Sequence, residues 1–134
     1  LSNGISNSTS RFLIFATTIV LGLAAIVLIF APAETADWVG ISGQLSVPLI
    51  LQLYGAALFG LAMTGWMVKD SIVGGVFGRS YVAGNAAHAF VGFLVLVRPA
   101  LVADAHTGIR IIACVYLLLA VLFGYLMFVA APRS

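Results

Sequence analysis

Four long apolar runs divide the chain. The first, Phe12 to Ala31, is almost unbroken Leu, Ile, Val, Ala and Phe, with Thr17 and Thr18 as its only polar residues, and Pro32 ends it. Both hydroxyls are expected to bond back to carbonyls of their own helix. The second run spans Val47 to Val68, the third Ser80 to Val97 and the fourth Gly108 to Ala131. A helix that crosses a bilayer needs about 20 apolar residues. The pattern predicts an all-α integral membrane protein, a four-helix transmembrane bundle with short loops. Residues 1–11 precede it as a polar tail, and residues 12–134 form one membrane domain.

Polar and turn-forming residues mark the gaps. Pro32 to Ser46 is read as a loop that holds Glu34, Asp37, Trp38, Gly40 and Gly43, with Val39 and Ile41 resting on the bilayer surface. Trp at a span's edge is a common interfacial anchor. Pro48 falls in the first turn of the second span, where its missing N–H costs nothing. Trp66 and Lys69 mark that span's exit. Lys69 to Arg79 reads as a flexible glycine loop, with Gly74, Gly75 and Gly78. Arg98 and Pro99 close the third span, and Pro99 to Thr107 is a loop carrying Asp104 and His106. Thr107 is the expected N-cap of the last helix. Arg110, in its first turn, can snorkel to the interface.

Composition removes whole classes of function. Hydrophobic residues make up 63% of the chain and charged ones 7%, against about a quarter charged in a soluble domain. Four spans in 134 residues leave no room for a soluble catalytic domain. The net charge of +2 is scattered, with no basic run for nucleic acid. Leu1 to Ser10 lack the basic-then-apolar order of a signal peptide. The G-G-x-x-G at Gly74 lacks the Lys-Ser/Thr of a phosphate loop. Cys114 is the sole cysteine and reads as a small buried hydrophobe. Arg11, Lys69, Arg79 and Arg133 fall on one side of the membrane, Arg98 and Arg110 on the other. The positive-inside rule then puts both termini in the cytoplasm.

Catalysis finds little to work with. No span carries a carboxylate, and no paired-acid, Ser-His-Asp or Cys-His arrangement is present. No lysine lies within a span to form a retinal Schiff base. Glu34, Asp37, Asp104 and His106 share one surface, but their spacing matches no metal motif. We therefore expect no enzyme and no metal site.

His88 is the leading chemical candidate. It falls near the middle of the third span, where an ionisable residue is a functional hypothesis by default. Gly84, His88 and Gly92 share one face at fourfold spacing. A small residue one turn before a membrane histidine leaves room for a flat macrocycle. That makes His88, with Gly84 and Asn85, a candidate axial site for haem or (bacterio)chlorophyll. The same residues serve helix packing equally well, with His88 in an interhelical hydrogen bond. Asn85 and His88 share a face and could join Tyr54, Thr64 or Tyr116 in a small polar site, whereas Gln52 lies toward the other side of the bilayer. Ala56, Gly60 and Thr64 recur every fourth residue, a small-xxx-small stripe that lets another helix approach closely.

Several phrases resemble a loose group of small bacterial four-helix membrane proteins, DoxX-like in size and layout. They are Phe30-Ala31-Pro32-Ala33-Glu34, Leu53-Tyr54-Gly55-Ala56-Ala57 with Gly60, and Gly84-Asn85-x-x-His88. The resemblance implies a bacterial inner-membrane bundle and imports no activity. By that analogy the expected role is an accessory or scaffold subunit of a larger membrane complex. The expected partners are the lipid bilayer and other integral subunits or a second copy. The alternatives are a pigment- or haem-binding subunit using His88 and a small oligomeric carrier or channel for a neutral or lipophilic solute.

Overall fold

The computed structural model describes residues 2–71 and 75–128, and the side chains among them from residue 8 onward. Among the described residues there are five helices: α1 (Ser2–Phe30), α2 (Pro32–Val39), α3 (Ser46–Val68), α4 (Val76–Ala100) and α5 (Thr107–Phe128). Four of them carry stretches long and apolar enough to cross a membrane, Ser8–Phe30, Ser46–Val68, Val76–Ala100 and Thr107–Phe128. At 1.5 Å per residue each exceeds the roughly 30 Å hydrocarbon core. The all-α four-helix membrane architecture read from the sequence is the one observed.

The boundaries differ in three places. The polar N-terminal segment is helical from Ser2, continuous with the first span. The first loop contains a helix, α2, which begins on Pro32 and stops at Gly40. Gly40 adopts a left-handed conformation at φ 80°, and the N–H groups of Gly40 and Ile41 both reach the Ala36 carbonyl. That 6→1 closure is a Schellman-type stop, and it needs glycine. The third span is longer than expected, beginning at Val76 and ending at Ala100 with Pro99 inside its last turn. Its glycines suggested a loop, but Gly78 is buried within the first turn. A helical glycine costs only about 1 kcal/mol relative to alanine, and packing offsets that. Gly74, Pro132 and Arg133, and the end of the last span, lie outside the described residues.

The helices associate as two antiparallel pairs, α1 with α3 and α4 with α5, and α3 meets α4 along a much shorter stretch. On α1 the buried positions Ile14, Thr18, Leu21 and Ala25 alternate four and three apart. On α3 they are Gly55, Leu58, Ala62 and Gly65, in the same rhythm. That spacing is the signature of helices crossing at a shallow angle. The approach is close. A Cβ added at Gly55 would meet Leu28 and Ile29 of α1. One added at Gly65 would collide with the Thr18 hydroxyl and with Tyr81.

Between the pairs, the core lies toward the end where α1 begins. Ile14 packs there with Tyr81, Val82 and Ala89 of α4 and with Leu119, Phe123 and Leu126 of α5. Tyr81 meets Phe123 edge-on, with centroids 6.1 Å apart and planes at 72°. At the same end Arg11 donates to Asp70 at 2.9 Å, tying α1 to the exit of α3, and Lys69 joins at 3.2 Å. The Lys69 ammonium also sits 4.4 Å from the Trp66 ring centre, the edge geometry expected of a span exit. Most other large apolar side chains face outward, among them Phe12, Phe30, Leu53, Leu118 and Phe128. In water this surface would drive aggregation; against lipid it is matched to its solvent. Cys114 is also on this exposed surface, not buried as expected.

Candidate functional site

Halfway along the bundle, where the two helix pairs have little apolar contact, three polar rings converge. His88 is the middle residue of α4. Its Nε2 lies 3.4 Å from the Tyr54 hydroxyl of α3 and 3.3 Å from the Tyr116 hydroxyl of α5. The two hydroxyls are hydrogen-bonded to each other. The imidazole is tilted against both rings, with centroids 6.2 Å from Tyr54 and 5.5 Å from Tyr116. The cluster therefore links one helix pair to the other in the middle of the bilayer. Polar groups at that depth have no water to fall back on and must partner one another.

The helices position each ring for identifiable reasons. Gly92, one turn beyond His88, has no side chain, and the Tyr116 ring fills the vacated space; a Cβ there would run into it. Tyr54 precedes Gly55, which seats α3 against α1 and leaves Tyr54 aimed away from that seam. Tyr54 remains 36% exposed, so the cluster opens laterally toward lipid. Gly84, one turn before His88, has nothing within 4 Å of where a Cβ would sit.

The remaining sequence candidates separate. Asn85 is buried at 2% exposure, but its amide donates to the Tyr81 carbonyl one turn back and not to His88. Thr64 bonds back to the Leu61 carbonyl, so it too stays out of the cluster. Gln52 lies apart, donating to the Ile29 carbonyl at the end of α1. Thr17 caps carbonyls of its own helix as expected, at 2.9 and 3.0 Å. Thr18 does not: its hydroxyl is buried beside that of Tyr81, against Gly65. Ala56, Gly60 and Thr64 all face outward, and a Cβ at Gly60 would meet nothing within 4 Å. The chain packs its own α1 on the neighbouring stripe of α3 and leaves this one uncovered.

For a macrocycle, the space over Gly84 is present but the ligating atom is engaged. The Nε2 an iron or magnesium would use is the one held by the two phenols. Axial ligation through it would break both contacts and leave the two hydroxyls with only each other as partners.

A second cross-link sits at the opposite end from the termini-side core. His106 Nδ1 lies 3.0 Å from the Trp38 carbonyl, joining the end of α2 to the start of α5. Gly40 and Gly108 make the contact possible: a side chain at Gly40 would strike the His106 ring, and one at Gly108 would strike the Trp38 carbonyl. His106 precedes the first residue of α5, so it occupies the capping position assigned to Thr107. Arg110 turns back to the Val102 and Ala103 carbonyls, as a snorkelling side chain does.

The fold and this site define the class, a helical integral membrane protein with a polar cluster at mid-depth. Comparison with protein-family models, with curated proteins and with solved structures finds no match. The DoxX-like resemblance thus rests on its short phrases alone.

Proposed function

We propose that this is a non-catalytic accessory or scaffold protein that works by packing against another intramembrane helix. The observation that carries the reading is the outward stripe of Ala56, Gly60 and Thr64. Helices in lipid associate through close backbone approach at small residues, because lipid supplies no hydrophobic drive between them. Here the internal α1–α3 seam is satisfied by Gly55, Ala62 and Gly65, and a second set of small residues is left free one position round the helix. The partner is another integral subunit or a second copy of the chain. The bias of Lys and Arg supports a placement with both termini cytoplasmic, and the DoxX-like phrases support a bacterial inner membrane.

Gel filtration after gentle extraction from native membranes, read in the ultraviolet and visible together, tests this. A particle much larger than one chain in detergent is expected. A small particle argues against the accessory role. Visible absorbance that His88→Ala removes would replace it with a pigment-binding role.

A further inference from the structure

The Tyr54–His88–Tyr116 cluster has an imbalance that its own members cannot correct. It holds three polar hydrogens: two phenolic O–H groups and the one N–H of a neutral imidazole. Only Nε2 of the imidazole faces the phenols, and it can donate or accept but not both. If the proton is on Nδ1, one phenol donates to the other and the second donates to Nε2, which leaves Nδ1–H over. If the proton is on Nε2, it donates to one phenol, that phenol donates to the other, and the last O–H is left over. Either tautomer leaves one donor with nothing to bond to inside the cluster. No protein acceptor contacts Nδ1 or supplements the phenols among the described residues. A donor unsatisfied in hydrocarbon costs several kcal/mol.

We infer that this cluster binds a lipid-soluble molecule through a carbonyl oxygen, such as a long-chain ketone or ester, entering sideways from the bilayer. A carbonyl pairs the surplus donor and brings no hydrogen of its own. An alcohol or a water satisfies the donor but adds further hydrogens that need acceptors. The route is present: Tyr54 is exposed, His88 and Tyr116 are only partly covered, and the space beside Gly84 is empty. Leu53, Val115 and Leu117, which flank the two tyrosines along their helices, are exposed and apolar. The inference is independent of the accessory role, which uses a different face of α3.

The test uses the full chain in phosphatidylcholine vesicles and a dodecyl-substituted benzophenone. The ketone of this probe is both the acceptor and the photoreactive group. Labelled residues are mapped by mass spectrometry, with a long-chain methyl ketone, the matching alcohol and the matching alkane as competitors. Labelling is expected to concentrate beside residues 54, 88 and 116. The methyl ketone should suppress it, the alcohol less so, and the alkane not at all. Tyr54→Phe should still bind, because the remaining Tyr116–His88 pair keeps one surplus donor. The triple change Tyr54→Phe, His88→Phe and Tyr116→Phe removes every donor and should weaken the ketone's competition roughly three- to tenfold. Labelling spread evenly over lipid-facing positions, or equal competition by alkane and ketone on the unaltered protein, overturns the proposal. That result needs no variant to fold.

Discussion

The seam between α1 and α3 and the seam between the two helix pairs solve the same problem in opposite ways. The first is dry and close. Gly55 and Gly65 stand where an added Cβ would collide with or press on its neighbours, and Gly22, Ala25 and Ala62 keep the rest of the seam small. The second is short in apolar contact. It depends on an aromatic and aliphatic core at one end, three polar rings in the middle and the His106–Trp38 link at the other end. Close packing gives a seam that cannot easily part. Discrete polar links give one that can part locally and can admit something between its members. The site therefore lies on the second seam.

The comparison is most severely tested at the core of the second seam. Phe123 is fully buried in the cluster where Ile14 of α1 meets α4 and α5. Phe123→Ala should cost about 3–5 kcal/mol, measured as reversible unfolding in mixed detergent. The first seam should be less sensitive to loss of volume and sensitive to its gain. Gly55→Leu forces a side chain against Leu28 and Ile29, and overpacking of this kind costs about 1–3 kcal/mol. A Gly55→Leu protein as stable as the parent would mean that the α1–α3 approach is looser than described.

The polar links should be weaker. Tyr54→Phe removes one hydroxyl from the cluster, and interhelical hydrogen bonds in membranes are worth about 0.6 kcal/mol on average. A loss well beyond that would make the cluster the principal clasp between the pairs. At the surface, the Arg11 guanidinium, with Lys69 beside it, holds the Asp70 carboxyl below the usual carboxylate range. A carboxyl whose folded pKa is depressed adds stability above its unfolded pKa and loses it as pH falls through the folded value. Asp70→Asn should therefore be slightly less stable than the parent at neutral pH and equal to it in strong acid. The exposed geometry makes the effect small and salt-sensitive, and melting curves at several pH values read it.

Much of this architecture could be read along the chain, because membrane helices announce themselves by unbroken apolar length. Four spans were legible, and so was the mid-span position of His88. The short helix α2 was not: eight residues with Glu34 and Asp37 carry no apolar run, and only the Pro32 start and Gly40 stop hint at it. The face that α3 turns to α1 was not legible either. Fourfold repetition draws attention to Ala56, Gly60 and Thr64, whereas the chain itself uses the alternating three- and four-residue rhythm of Gly55, Leu58, Ala62 and Gly65. In an apolar helix every face is hydrophobic, so polarity does not tell inward from outward. The partners of His88 lie 34 and 28 residues away. Tyr54 and Tyr116 could be suspected from their mid-span depth, but only the helix arrangement separates them from Asn85 and Thr64.

The two stripes of α3 supply the most direct test, because one turns inward and the other outward. Gly55→Leu and Gly60→Leu differ by five positions on the same helix and add the same side chain. Each is extracted gently from native membranes and measured for unfolding and for particle size. The account predicts that Gly55→Leu loses stability, whereas Gly60→Leu unfolds within about 0.5 kcal/mol of the parent but elutes as a smaller particle that has shed its partner. A Gly60→Leu protein that keeps the parent's particle size would contradict the assignment of that face to a partner.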